Sequence, residues 1–167
     1  MKKLLLCRHA KSSWDHPLLA DHLRPLAKRG ERDAPRMAKR MHANRIIPEK
    51  ILTSNAVRAV QTAESYLDVF VKEGPEFEKT PGLYHASARA ILENIQQTPD
   101  RIKTLFVFGH NPGFTDLINQ LGEDLENLPT AAVFGFYFKT DRWMNIQSGN
   151  ASFWLYDFPK NKDPKIP

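Results

Sequence analysis

Short apolar runs alternate along the chain with stretches in which apolar residues recur every three or four positions. Leu4-Leu5-Leu6-Cys7 is an apolar run that ends in charge, as expected of a strand buried on both faces of a parallel sheet. Lys50-Ile51-Leu52-Thr53 predicts a second strand, and Leu105-Phe106-Val107-Phe108 the clearest one in the chain. Ala34, Met37, Ala38 and Met41 predict a helix over 30–43, in which Pro35 is tolerable only in the first turn because it has no amide hydrogen. Val57, Val60, Ala63, Leu67 and Phe70 predict the inner face of a second helix, capped by Ser54 or Asn55. Residues 77–79, between Pro75 and Pro81, read as extended. Ile91, Leu92 and Ile95 point inward from a helix over 86–97, and Leu117, Ile118 and Leu121 from one after the strand at 105–108. Two aromatic, β-rich segments, 133–138 and 152–156, predict a late hairpin at a sheet edge. Trp143 and Trp154, with Phe134, Phe136 and Phe138, are read there as packing rather than as a base-stacking platform.

Strands alternating with helices predict an α/β fold: three layers, α/β/α, around a mainly parallel central sheet. The expected organisation is a single domain over 1–159 followed by a mobile polar tail, 160–167. A length of 167 residues, 41% of them hydrophobic and 26% charged, suits one globular domain with a real core.

The net charge of +5 points to acidic partners, phosphorylated ones included. Lys and Arg are spread along the chain, and the modest concentration over 28–45 reads as a solvated helix face. Nucleic acid would rest on the basic pI alone and is not expected. No run approaches the ~20 apolar residues that span a bilayer, so no membrane partner is expected. The apolar start is too short for a secretion signal and meets Arg8-His9 at once, which leaves a cytoplasmic location as the expectation. Cys7 is the only cysteine, which rules out an internal disulfide or a Cys-based zinc cage and suggests an inert buried thiol.

Ligands of such folds bind beyond the carboxyl ends of the strands. Arg8-His9 follows the first strand and His110 follows the strand at 105–108, where Gly109 is expected to let the backbone turn sharply. A neutral imidazole at His9 can attack phosphorus, and Arg8 offers a planar fork of donors that matches phosphate oxygens. His110 can donate to a phosphate oxygen in the transition state. Arg58 lies in the first turn of the helix after the second strand, where its guanidinium can curl toward the same strand ends. Alone, Arg8-His9 and His110 would more often be turn or surface residues, and Arg58 could be a solvated helical one; the combination is the signal.

Leu6-Cys7-Arg8-His9-Ala10, Ser54-Asn55-Ala56-Val57-Arg58-Ala59-Val60-Gln61-Thr62-Ala63 and Gly109-His110-Asn111-Pro112-Gly113 together resemble the histidine phosphatase, or phosphoglycerate-mutase-like, superfamily. With Arg24-Pro25-Leu26, they look most like its SixA-type phosphohistidine phosphatases. The resemblance implies that His9 is the phosphorylated nucleophile, that Arg8 and Arg58 clamp the phosphate, and that His110 completes the pocket. It makes Arg24 and Asn111 candidates for further substrate contacts.

Neighbouring arginines should keep His9 neutral and nucleophilic. With fixed cations on the phosphoryl oxygens no metal or cofactor is expected, and a zinc reading of His9 and His110 lacks a local motif such as H-E-x-x-H. Many members of the superfamily supply a carboxylic acid to the leaving group, in one branch as an Asp where this chain has Asn111. Its absence suits a phosphoramidate, whose leaving imidazole accepts a proton near neutrality. The expected substrate is therefore phosphohistidine on a partner protein. A small phosphate ester, or non-catalytic phosphate binding, are the alternatives. His85 is read as a helix-start residue that could also line the rim, and His16, His22 and His42 as surface residues. The oligomeric state is not legible.

Overall fold

Apolar runs become strands where both faces can be covered, and with a charged edge strand and a late hairpin they form one six-stranded sheet in the computed structural model, which describes residues 1–167. The elements are β1 (Lys2–Arg8), α1 (Lys28–Ala43), β2 (Lys50–Ser54), α2 (Val57–Val69), β3 (Glu76–Thr80), α3 (Ala88–Gln96), β4 (Thr104–Gly109), α4 (Gly113–Gln120), β5 (Val133–Phe138) and β6 (Ala151–Asp157). The strand order is β3-β2-β4-β1-β5-β6. The first four strands are parallel, whereas β5 runs antiparallel to both β1 and β6.

Successive side chains of a strand point to opposite faces, and the core divides accordingly. Leu5, Cys7, Ile51, Phe106 and Phe108 pack with Met37, Ala38 and Met41 of α1 and Ala63 and Tyr66 of α2. Leu4, Leu6, Leu52, Leu105 and Val107 pack with Ile91 and Ile95 of α3 and Leu117 and Ile118 of α4. The three-layer architecture follows from this split. The late hairpin is present, with β6 at the edge. Trp143 lies on its connecting segment, donating through Nε1 to the Ile102 carbonyl at 2.7 Å, and Trp154 lies on β6.

Expectations for α1, α2 and Gly109 are corrected. α1 begins at Lys28, so Pro35 falls in its interior. A hydrogen bond is lost there, but Ala34, Met37, Ala38 and Met41 are fully buried, and packing of that face outweighs local propensity. Neither Ser54 nor Asn55 is the N-cap of α2; Ala56 is. The buried face of α2 is Arg58, Ala59, Thr62, Ala63 and Tyr66, while Val57, Val60 and Leu67 are half-buried. The stripe is turned because Arg58 and Thr62 find polar partners beside the end of β1, and buried polar groups go where they are bonded. Gly109 has no positive φ. It is needed for space, since a Cβ there would lie 2.8 Å from the Phe114 ring. In the tail, the Lys165 and Tyr156 backbones exchange hydrogen bonds in both directions, and Ile166 packs on the core.

Candidate active site

In the pairing of β1 with β4, Arg8 stands opposite Gly109. The next residue of each strand therefore leaves the sheet at the same level, and these are His9 and His110. Their ring centroids are 5.2 Å apart, tilted by 53°. The His9 amide donates to the Gly109 carbonyl at 3.1 Å, and the His9 carbonyl accepts from the Ala131 amide at 3.1 Å. Both side chains are buried.

The Ala10 carbonyl assigns the tautomer of His9. His9 Nδ1 lies 2.7 Å from the Ala10 carbonyl oxygen, which only accepts, so Nδ1 carries the proton and Nε2 keeps its lone pair. His110 Nε2 lies 2.8 Å from Ser54 Oγ, which already accepts from the Ala56 amide at 3.2 Å. A Ser54 hydroxyl that donates to Nε2 places the proton of His110 on Nδ1, a buried atom with no protein partner. Burial lowers the pKa of His9 to about 3, aided by Arg58, Arg8 and Arg24 and opposed by the Ala10 carbonyl. Burial also lowers that of His110 to about 3, with His9, Arg58 and His85 adding to it. Both rings are neutral at neutral pH.

Arg8 Nη1 is anchored on the Leu128 carbonyl at 2.9 Å. Arg58 is anchored twice on one residue, through Nη1 to the Asp21 carbonyl at 2.8 Å and through Nη2 to Asp21 Oδ2 at 3.0 Å. Thr62 ties the helix carrying Arg58 to the strand end: its Oγ1 accepts from the Ala10 amide at 3.0 Å and donates to the Arg58 carbonyl at 2.7 Å. Three buried side-chain polar atoms have no partner, Arg8 Nε, Arg58 Nε and His110 Nδ1. All belong to the predicted set around His9.

Arg24 is buried beside this group and contributes to the positive field on His9. It donates from Nη1 to Ser12 Oγ at 2.9 Å and from Nε to Asp21 Oδ1 at 3.1 Å, and its guanidinium carbon lies 3.6 Å from the centroid of the Trp14 ring. Asn111 does not join them. Its Nδ2 donates to Asn127 Oδ1 and the Leu128 carbonyl, and its Oδ1 accepts from the amide and hydroxyl of Thr115, so both ends of the amide are committed to the loop and to α4.

Asp21 is the central residue that sequence reasoning missed, and Tyr84 went unseen with it. Besides Arg24 and Arg58, its carboxylate accepts from Tyr84 Oη at 2.7 Å and His85 Nε2 at 2.9 Å. Burial pushes its pKa up, but the Tyr84, His85 and Arg58 hydrogen bonds outweigh this and hold it well below the usual carboxylate range. The only sequence signal was its place three residues before Arg24 in an aperiodic loop. His85 is corrected from a helix-start residue to part of the site: α3 starts at Ala88 with Ser87 as cap, and the His85 ring stacks on His110. His22 and His42 bond Asn55 and Glu73 away from the two central rings. No group of three or more His, Cys, Asp or Glu is placed to hold a metal ion.

The family model of the histidine phosphatase superfamily (branch 1) matches residues 4–104, a span that carries Arg8, His9, Arg24 and Arg58. The chain belongs to the histidine phosphatase superfamily. An uncharacterized protein of Mycobacterium tuberculosis is 30% identical over 92% of this chain and 99% of its own length. An uncharacterized chloroplastic protein of Arabidopsis thaliana is 37% identical over 72% of this chain, which covers 59% of that protein's length. Among solved structures, the protein histidine phosphatase SixA complexed with tungstate has a TM-score of 0.80 at 24% identity, covering 96% of this chain and 99% of that one. A phosphoserine phosphatase mutant from Entamoeba histolytica, in complex with phosphoserine, has a TM-score of 0.66 at 15% identity, covering 97% and 98%. The superfamily fold thus accounts for the sheet, and these likenesses extend past residue 104 to the strand that carries His110.

Proposed function

We propose that the protein is a phosphatase that takes a phosphoryl group onto His9 Nε2 and passes it to water, acting on phosphohistidine of a partner protein. The reading rests on one observation: the unpartnered buried atoms are Arg8 Nε, Arg58 Nε and His110 Nδ1, around an imidazole whose free nitrogen is Nε2. Such an arrangement suits a tetrahedral anion attacked in line by a neutral base, with fixed donors meeting the charge that develops on its oxygens. The arginines hold the phosphoryl group while the bond to the leaving atom breaks, and water then cleaves the phosphohistidine. No metal enters this scheme.

Two features favour a protein substrate over a small metabolite. The connection from β3 to α3 is short, residues 81–87, and has no insertion to roof the pocket. The loop that supplies Asp21 and Arg24 also exposes Trp14, Leu18 and Leu23. The likeness to SixA, stronger than that to the phosphoserine phosphatase, points the same way. The test offers a phosphohistidine-bearing carrier protein and sugar phosphates in parallel to wild type and His9→Ala. Faster turnover of the carrier, lost in the variant, is expected. Preference for sugar phosphates would make the protein a small-molecule phosphomonoesterase, and activity retained by His9→Ala would remove the nucleophile.

A further inference from the structure

Expelling a poor leaving group from phosphorus requires a proton on the departing atom, and neither central imidazole is placed to give one. The Nδ1–H of His9 is held by Ala10, and His110, with its pKa lowered to about 3, is neutral, its Nε2 engaged by Ser54 and its Nδ1 among the buried unpartnered atoms on which the phosphatase reading rests. His85 stands next in line. Its ring lies parallel to that of His110, at an interplanar angle of 3° and a centroid distance of 5.6 Å, on the solvent side, with 55% of its side chain exposed.

The position is built. His85 Nε2–H donates to Asp21 Oδ2 at 2.9 Å, which leaves Nδ1 unengaged. The Tyr84 ring meets the His85 ring edge-on at 4.2 Å, while its hydroxyl bonds the same carboxylate oxygen. The backbone of His85 is left-handed, with φ of 48°, a conformation that costs energy in a non-glycine residue and recurs at functional sites. The following residue is packed so closely on the start of α4 that a Cβ at Gly113 would lie 2.1 Å from the Ala86 carbonyl oxygen. A ring on an otherwise free rim thus has one nitrogen fixed by a carboxylate and the other available, the pattern of an oriented acid–base histidine.

We propose that His85, oriented by Asp21, is the catalytic proton donor to the leaving group and the acceptor for the attacking water. The proposal rests on the phosphatase reading above. In the first step the cationic form of His85 gives its Nδ1 proton to the departing oxygen or nitrogen as the bond from phosphorus to that atom breaks and the bond from phosphorus to His9 Nε2 forms. In the second, water forms the new P–O bond, the P–N bond to His9 breaks, and neutral His85 takes the proton that water loses. His9 returns neutral, His85 returns protonated, and no other reactant is needed.

The test varies the leaving group. Wild type, His85→Gln and His85→Asn are assayed on dinitrophenyl, nitrophenyl and phenyl phosphate; Asn also tolerates a left-handed backbone. Loss of a proton donor is expected to lower kcat/KM for phenyl phosphate by ~10²-fold or more, and to leave dinitrophenyl phosphate, whose leaving group needs no proton, near the wild-type rate. A loss equal across the series, or none, overturns the role. Acid-labile phosphate on His9 is followed in the same wild-type reactions. Its appearance with a flat series refutes His85 alone, whereas its absence refutes the phosphatase reading and the role of His85 with it.

Discussion

The Nδ1–H of His9 donates across 2.7 Å to the carbonyl of the very next residue, Ala10, so the orientation of the nucleophile is set by its own backbone. That backbone is in turn held by Thr62, whose hydroxyl accepts from the Ala10 amide. Thr62→Val keeps the shape and removes the hydroxyl. It leaves the Ala10 amide buried and unpartnered, and should cost about 1–3 kcal/mol of stability in a denaturant titration. It should also lower kcat, because the ring and Arg58 share that tie.

Arg58 grips Asp21 at two points, a geometry that needs a planar fork. Arg58→Lys keeps the charge but loses the fork, and kcat/KM is expected to fall ~10²-fold or more in steady-state assays. Recovery of wild-type rates by Lys would show that charge alone suffices.

Ser54→Ala takes away the hydroxyl bonded to His110 Nε2. One hydrogen bond of about 1.4 kcal/mol corresponds to roughly tenfold, and the loss should fall on kcat with little change in KM.

Stability should depend on pH in one direction. His9 and His110 hold their pKa near 3 in the fold, against a reference of about 6.5 in the unfolded chain. Between those values the unfolded chain binds protons that the fold refuses, so stability rises with pH across the window and is lost as pH falls through it. Asp21, depressed in the fold, adds a further loss below about pH 4. Thermal melts should show Tm falling from pH 7 toward pH 4, and His110→Gln should flatten that slope.

The parts of the site legible in the sequence are those attached to regular elements. His9 and His110 follow apolar runs that have to be strands, and Arg58 opens a helix. Asp21 and Tyr84 were invisible because they come from irregular segments, where no periodicity says which way a side chain faces. Ser54 was visible as a residue but misread as a helix cap, since a serine between a strand and a helix fits both readings and only the third dimension brings His110 to it. The face of α2 was misjudged for a related reason: an apolar count ignores polar residues whose partners lie on another element. Pro35 was misplaced because local propensity is weaker than a fully buried helical face.

β1 lies between β4 and β5, and the main chain at His9 is gripped from both neighbours, by Gly109 on one flank and Ala131 on the other. A half-assembled sheet, with helices formed but either flank missing, would own every reactive side chain and still lack a competent nucleophile. Turnover is therefore a reporter of sheet closure: in refolding it should return only with the last long-range pairing, after the helical signal has come back.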